Sequence, residues 1–506
     1  MRGNSRPCHK ARSGWALLVI LWLAAVLPAA ARQAAEQASL PDTPAGRKMS
    51  ALLAALNSGN PAAMVDFISA NYARESLAER PAESRAEAYL EIYEESGGFD
   101  LRHVFESTDQ TLAVVGQDRL VGDWMQFEIE LERDPPHGIL GLRVMPMPGP
   151  PDAPPLAPLT DEALAREIVD YVKRMEAADR FSGALLVARE GKPIVQYVCG
   201  LASRAFQAPN RLDTKFNLGS MNKMFTAVAV AQLAQQGKLS FDDPVGKHLP
   251  DFPNAEVREK VTIHHLLTHT SGLGDYFNEK YEAGAKNRFR TVRDFLELFQ
   301  DETLQFEPGS EWRYSNGGFM LLGAIIEKVS GQSYFDYVRE HIYQRAGMNN
   351  TDAYEMDRDT PNLAIGYTQR GPGWPLPPGE RRNNLYLHVV KGGPAGGGFS
   401  TVEDLVRFAA ALRAHTLLSA EYTEIVTSGK VFPDPEDRDF QYAYGFGVER
   451  AGQGWILGHN GGFLGINAKL DIYQDGSGIV VAVLSNYDPP AAGRVAAKIR
   501  SLLTRE

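Results

Sequence analysis

Apolar positions along this chain recur with two periods, and the period changes with place. Gly46 to Tyr72 and Ala82 to Ser96 carry apolar residues three and four apart, which predicts amphipathic helices. Asn57-Ser58-Gly59-Asn60-Pro61 breaks the first of these in two. Alternating, strand-like runs follow at Asp100 to Glu106, Thr111 to Val115, Trp124 to Leu131 and Ile139 to Met145. From Pro146 to Pro158 prolines alternate with small residues, the mark of a stiff, extended linker. Beyond it, Thr160 to Asp179 reads as a helix, and Gly183 to Ala188 with Pro193 to Val198 as a hairpin around Glu190-Gly191-Lys192. The middle, from Ser220 to about Ala411, is rich in helices and loops. Near the end, Asn467 to Ile472 and Gly478 to Leu484 read as strands joined by a turn at Gln474 to Ser477, and Ala491 to Leu503 as a closing helix. The late strands should join the hairpin in one antiparallel sheet. This is an α+β architecture, and no internal repeat interrupts it.

Length and composition refine the division. A chain of 506 residues exceeds what one core supports. We expect a small α+β domain over 40–146, a proline-rich linker over 147–158 and a larger domain over 159–506. The N-terminus places Arg2, Arg6, Lys10 and Arg12 before an apolar stretch from Trp15 to Leu27, then Ala29-Ala30-Ala31. That order describes a secretory signal over 1–31 and a periplasmic or secreted protein, with an uncleaved membrane tether as the alternative. The apolar stretch is short for a membrane span, and no later segment is long enough, so stable membrane insertion is not expected. Cleavage would remove four basic residues and no acidic one, taking the formal charge from −11 to −15. Such a balance argues against nucleic acid or an anionic membrane as partner. Of the two cysteines only Cys199 would remain, so no internal disulfide is expected, and a small buried hydrophobe is its simplest role.

Three short motifs then carry the chemistry: Ser220-Met221-Asn222-Lys223, Tyr314-Ser315-Asn316 and His459-Asn460-Gly461-Gly462. Ser220 heads an apolar, helix-forming run from Met221 to Gln236 that Gly237 closes. Residues three apart share a helix face, so Lys223 stands beside the Ser220 hydroxyl. A serine is a poor nucleophile without a base, and a lysine serves as one only when burial or a neighbouring cation lowers its pKa. Tyr314-Ser315-Asn316 lies between Pro308-Gly309 and a predicted helix from Phe319 to Val329. A tyrosine near an ammonium can ionise below its usual pKa and act as a general base, and Asn316 offers both a donor and an acceptor. In the third motif the glycine pair permits close backbone approach, as an oxyanion hole requires.

Together these motifs resemble the serine β-lactamase and penicillin-binding protein superfamily, in which Ser-x-x-Lys is a signature. The class C branch, including esterases and D-aminopeptidases, is the nearest likeness through its Tyr-x-Asn second motif. Ile263 to Leu273 (IHHLLTHTSGL), Phe216 to Gly219, Phe306 to Gly309 and Gly393 to Gly398 strengthen it. The resemblance implies a β-lactamase/transpeptidase-like fold, an antiparallel sheet flanked by helices with an all-helical subdomain. It implies Ser220 as acylated nucleophile, Lys223 and Tyr314 as its proton-handling partners, and Asn316, His459 and Gly461 as substrate-binding. The N–H groups of Ser220 and Gly462 would form the oxyanion hole. No cofactor or metal is implied. One departure stands out: β-lactamases of this branch begin the third motif with Lys, where this chain has His459.

The expected activity is serine hydrolysis of an ester or amide, on a small-molecule or peptide substrate, through an acyl-enzyme. The alternatives are a D-alanyl-D-alanine carboxypeptidase or D-aminopeptidase, a true β-lactamase, and a non-catalytic sensor on the same scaffold. A zinc hydrolase is a weak rival: His265 and His269 are four apart, but the Glu of His-Glu-x-x-His is missing. No Gly-x-Ser-x-Gly occurs, which excludes the α/β-hydrolase elbow. In pattern alone, helices followed by strands make the small domain similar to an NTF2-like cone. Such cones pair with one another or bind ligands, so a homodimer through this domain is one expectation and a structural spacer the other.

Overall fold

The computed structural model describes residues 38–147, 149–151, 158–370, 376 and 379–504. The signal segment and part of the linker lie outside the described residues. The long helical pattern at the start resolves into α1 (Pro44–Ser58) and α2 (Pro61–Asn71), then α3 (Arg74–Glu79) and α4 (Ala82–Ser96). The break falls where the sequence provides a stop and a start: Gly59 adopts φ 59°, and Asn60 accepts from the Ala63 N–H at 3.2 Å. Strands β1 (Phe99–Ser107), β2 (Thr111–Asp118), β3 (Trp124–Leu131) and β4 (Ile139–Met147) form an antiparallel meander in that order. Leu52, Leu56, Phe67 and Ile68 from the helices meet Leu112, Val114, Phe127 and Ile129 from the sheet in a core of their own. Strand β2 runs three residues past its predicted end, where Gly116 leaves room for the Phe99 and Phe127 side chains.

After the linker, α5 (Asp161–Ala177) leads into β5 (Gly183–Arg189) and β6 (Lys192–Cys199). The helix after Ser220, α6 (Asn222–Gln235), with α7 (Ile263–Thr268), α8 (Asn316–Ser330) and α9 (Val402–Arg413), belongs to the helical half. The chain then returns as β7 (Phe440–Tyr442), β8 (Gly447–Ala451), β9 (Gly454–Phe463), β10 (Ile466–Tyr473) and β11 (Ile479–Ser485), and ends in α10 (Ala491–Leu503). These strands form a seven-stranded antiparallel sheet in the order β7-β8-β9-β10-β11-β5-β6. The late strands thus join the early hairpin, with β11 paired to β5.

Both faces of the sheet are covered, so its central strands are apolar on both sides. Leu185, Val187, Val481 and Val483 pack against Ile168 and Val172 of α5 and Val495 and Ile499 of α10. Leu186, Leu470, Ala482 and Leu484 face the helical half, with Val228 of α6 and Phe408 of α9 in the same cluster. The architecture is the α+β sandwich that the sequence implied. Two details differ. The third motif, preceded by the apolar run Trp455 to Leu457, lies with that run inside one long strand, β9, where Gly461 and Gly462 pair with Ala468 and Asn467 of β10. The edge strands β7 and β8 have too little apolar alternation to announce themselves. Among the described residues no helix is long and apolar enough to cross a membrane.

Leu470 is fully buried between His459 and Ala482 in the strand register. Leu470→Ala should therefore lose about 2–5 kcal/mol of stability, read from the urea midpoint of the catalytic domain. Leu140→Ala, at a side chain 38% exposed, should move stability by no more than about 0.5 kcal/mol.

Candidate active site

Ser220 sits in a single 3-10 turn, Gly219–Met221, that runs directly into α6. Gly219 makes this turn with φ 51°, and its place admits no side chain: a Cβ there would lie 2.9 Å from the Gly462 nitrogen. On the other strand, a Cβ on Gly461 would fall 1.9 Å from the Leu218 carbonyl oxygen. A Cβ on Gly396 would stand 2.8 Å from the Gly219 oxygen and 3.3 Å from the Ser220 nitrogen. Three glycines from three segments thus let the nucleophile turn press against β9. The turn that carries Ser220 and the strand that carries Gly462, whose N–H groups the sequence assigned to one oxyanion hole, are thereby in contact.

Lys223 is wholly buried in the first turn of α6. Its ammonium donates to Asn316 Oδ1 at 2.7 Å and to the Ala395 carbonyl at 2.6 Å, both uncharged acceptors. The amine lies 4.6 Å from the centre of the Tyr314 ring and 5.4 Å from that of Phe319. Burial pulls its pKa down from 10.5 to about 7, against a smaller upward pull from Asp275. Tyr314 is also buried, which raises the pKa of its phenol, while a hydrogen bond with the Ser220 hydroxyl acts in the opposite sense. At neutral pH Tyr314 therefore keeps its proton, contrary to the expectation that the neighbouring ammonium would lower its pKa, and Lys223 is the group poised to accept one.

The second motif places its members by capping. Ser315 is the N-cap of α8, its hydroxyl accepting from the Gly318 N–H at 3.0 Å and donating to the Gly274 carbonyl at 2.8 Å. That leaves Asn316 at the first position of the helix. Its Nδ2 donates to Asp275 Oδ2 at 2.7 Å, so its Oδ1 must face Lys223. Asp275 and Ala395 are site residues that sequence reasoning missed. Ala395 lay within the quoted Gly393–Gly398 stretch, but nothing in its type marks it, since only its backbone oxygen acts. With one N–H already committed to Asp275, Asn316 keeps a single donor for a substrate.

His459 departs from its expected part. Its imidazole is buried, and both ring nitrogens have partners within the protein: Nε2 with the Tyr442 hydroxyl at 3.1 Å, and Nδ1 with the Asn460 carbonyl. The Tyr442 hydroxyl also meets His269 Nε2 at 3.1 Å, and His269 Nδ1 accepts from the Ser315 N–H at 3.1 Å. The backbone donor fixes every proton in this chain. His269 Nδ1 is an acceptor, so its Nε2 carries hydrogen and donates to Tyr442. Tyr442 then donates to His459 Nε2, and His459 Nδ1 donates to the Asn460 carbonyl. Burial, with Lys223 nearby, pushes the His459 pKa down to about 3 and that of His269 well below its usual value. Both rings are neutral, and His269 packs against Tyr314 with ring centres 4.2 Å apart and planes tilted by 34°. His269 holds φ 62° at the end of α7, a costly conformation for a non-glycine residue that places its ring in this stack.

A cavity of about 200 Å³ opens beside these residues, lined by Trp312, Tyr314, Tyr442, His459, Asn460 and Lys469 among others. The remaining histidines of the 263–273 segment go elsewhere. His264 Nδ1 pairs with the Tyr444 hydroxyl at 2.8 Å, and His265 Nδ1 accepts from the Thr262 N–H at 3.3 Å. Among the described residues no group of three His, Cys, Asp or Glu side chains is placed to hold a metal ion.

Penicillin-binding protein 4* of Bacillus subtilis (strain 168) is 32% identical over 306 residues, covering 58% of this chain and 66% of that protein. Esterase EstB of Burkholderia gladioli is 33% identical over 308 residues, covering 55% of this chain and 75% of its own length. The crystal structure of a penicillin binding protein from Bacillus halodurans superposes with a TM-score of 0.58 at 36% identity, covering 65% of this chain and 97% of that one. The D-amino acid amidase of Ochrobactrum anthropi SV3 shares the fold, with a TM-score of 0.56 at 23% identity over 68% of this chain and 96% of its own. Residues 168–506, from within α5 through all three motifs to the C-terminus, match the Beta-lactamase family description. The chain belongs to the Beta-lactamase family, within the superfamily of serine β-lactamases and penicillin-binding proteins.

Proposed function

We propose that this protein is a serine hydrolase that forms an acyl-enzyme on Ser220 and acts on uncharged esters or amides. One observation carries the reading. A lysine amine is buried on uncharged acceptors, with its pKa drawn down to about 7, beside a tyrosine whose hydroxyl contacts the serine. A structural lysine has no need of that arrangement, because burial of a charged ammonium is costly.

In the proposed reaction the Ser220 oxygen attacks the substrate carbonyl carbon. Its proton passes to the Tyr314 hydroxyl, and the Tyr314 proton passes to the neutral Lys223 amine. The carbonyl electron pair moves onto oxygen, where the N–H groups of Ser220 and Gly462 receive it. Collapse of the tetrahedral adduct expels the leaving group, which takes a proton from Tyr314 as Lys223 returns its own. A water molecule repeats the sequence on the acyl-enzyme, releasing the acid and free Ser220. Asn316, held by Asp275, keeps the Lys223 amine in place. The esterase and amidase named among the relatives and neighbours support a substrate of this class.

Ser220→Ala should abolish labelling by a fluorophosphonate probe, read by intact mass, and lower turnover by at least about 10³. Lys223→Ala should slow acylation by roughly 10²–10⁴. Near-normal turnover in Ser220→Ala would remove the basis of the proposal.

The acid limb of the pH profile follows from Lys223. Its amine is the reactive form, so kcat/KM should be low below the pKa and rise as pH passes through about 7. With a pKa of about 3, His459 is neutral on both sides of that midpoint. His459→Gln should therefore leave the midpoint where it is, even if it lowers the rate. A midpoint that disappears in that variant would assign the titration to the histidine instead.

The neutral, internally bonded His459 presents no cation to a substrate carboxylate. Lys469, on the same cavity, is already paired with Glu449 at 3.8 Å and Asp471 at 3.3 Å. A β-lactam carboxylate thus lacks the charge-assisted contact that a free lysine gives, worth about tenfold or more in recognition. Short-chain p-nitrophenyl esters should be hydrolysed faster than nitrocefin at pH 7.5. The reverse preference would refute the choice of uncharged substrates while leaving the nucleophile assignment intact.

A further inference from the structure

The donor that completes the oxyanion hole is a backbone N–H, and a side chain that none of the motifs contains reinforces the aim that the strand ladder gives it. Gly461 and Gly462 share one peptide unit. In a trans peptide the C=O of the first residue and the N–H of the second lie in one plane and point in opposite directions. Whatever holds the Gly461 carbonyl on one side therefore turns the Gly462 N–H to the other.

That carbonyl faces β10, where Gly461 pairs with Ala468, and Asn467 adds a side-chain bond to it. Residue 467 is opposite Gly462 in the β9–β10 register and is buried, and its Nδ2 donates to the Gly461 oxygen at 2.9 Å. The amide cannot be turned round. Its Oδ1 accepts from the backbone N–H groups of Ala492 at 2.7 Å and Gly493 at 3.1 Å. These belong to the first turn of α10, which has no side-chain cap of its own. The orphan N–H groups of that helix end need an acceptor, and the Asn467 oxygen is it. The nitrogen end must then face Gly461.

The helix end that seats Asn467 is fixed from the far side by the N-terminal domain. Arg494, one residue beyond Gly493, donates to Asp118 Oδ2 at 2.9 Å, to Asp123 Oδ2 at 2.7 Å and to the Glu95 carbonyl at 2.8 Å. The Asp118 side chain is 2% exposed, and its other oxygen accepts from the N–H groups of Leu120, Val121 and Gly122. A second contact ties the same segment to the strand: a Cβ on Gly462 would lie 3.0 Å from the Pro489 ring.

We propose that Asn467 is a positioning residue of the reaction, aiming the Gly462 N–H at the developing oxyanion from a seat that the N-terminal domain holds through Arg494. The inference rests on the serine-hydrolase reading and on Gly462 as an oxyanion donor. It gives the small domain a part in catalysis without any contact with the substrate.

The test uses the full chain and an isosteric change. Asn467→Asp keeps the acceptor for α10 but, ionised, cannot donate to the Gly461 oxygen. Its kcat for a p-nitrophenyl ester should fall by about 10- to 100-fold with KM within about threefold, a fraction of what losing an oxyanion donor outright costs. The discriminating readout is the rate ratio between an ester and its thionoester, in which sulfur replaces the carbonyl oxygen. A well-aimed hole favours oxygen, so the ratio should be large in the wild type and collapse in Asn467→Asp. Arg494→Met should move the ratio the same way by a smaller factor. Because the ratio is a property of the folded fraction alone, partial unfolding of either variant does not disturb it. An unchanged ratio in Asn467→Asp would overturn the proposal, and an unchanged ratio in Arg494→Met would overturn the part given to the N-terminal domain. A wild type that the fluorophosphonate probe does not label would instead sink the hydrolase reading beneath it.

Discussion

A lysine amine without water or a carboxylate partner is the constraint on which the rest of the site depends. Moving the Lys223 pKa from 10.5 to about 7 corresponds to roughly 5 kcal/mol of bias toward the neutral form. Desolvation supplies it, and it survives only if no anion comes close enough to cancel it. The structure satisfies that condition in a particular way. Asp275 is near, but it is spent on Asn316, and it is the amide oxygen of Asn316 that reaches the amine. An Asn between Asp and Lys transmits position while withholding most of the charge.

The same economy governs the histidines. A protonated imidazole within reach of Lys223 would raise the local potential and be repelled by an incoming proton on the amine. The chain from Ser315 N–H through His269, Tyr442 and His459 to the Asn460 carbonyl removes that possibility, since every ring nitrogen is assigned by its neighbour. A backbone N–H that cannot change its role stands at one end, and a carbonyl that can only accept stands at the other. The packing of His269 on Tyr314 then links this neutral chain to the hydroxyl that touches the nucleophile.

Backbone placement imposes the remaining demand. The proposed oxyanion donors belong to a turn and a strand distant in sequence, and these segments meet because Gly219, Gly396 and Gly461 remove the side chains that would hold them apart. The β9–β10 ladder orients the Gly461–Gly462 peptide, and a further bond on its far side stiffens it. Asn467 supplies that bond, and the capped end of α10 and the docked N-terminal domain brace it in turn.

The sequence by itself determined the fold class, the order of its larger elements and the identity of the motif residues. Those rest on local signals: helical periodicity in α5 and α10, the apolar helix-forming run of α6, alternation in the β5–β6 hairpin, and the spacing of Ser220 and Lys223 on one helix face. The partner residues were not legible. Asp275 and Tyr442 are ordinary polar residues far along the chain from what they hold, and Ala395 acts only through its backbone. His459 was visible as a departure from a lysine, but its neutrality and its occupied nitrogens belong to the packing around it. The break at Gly59-Asn60 was readable because capping is local, whereas the strand through Gly461-Gly462 was not, because glycine pairs mark turns unless a neighbouring strand claims them. What tertiary structure alone decided is which charges lose their water and which peptide planes are pinned. Both depend on atoms brought together from segments more than a hundred residues apart, as the Lys223–Ala395 and Gly397–Gly219 contacts are.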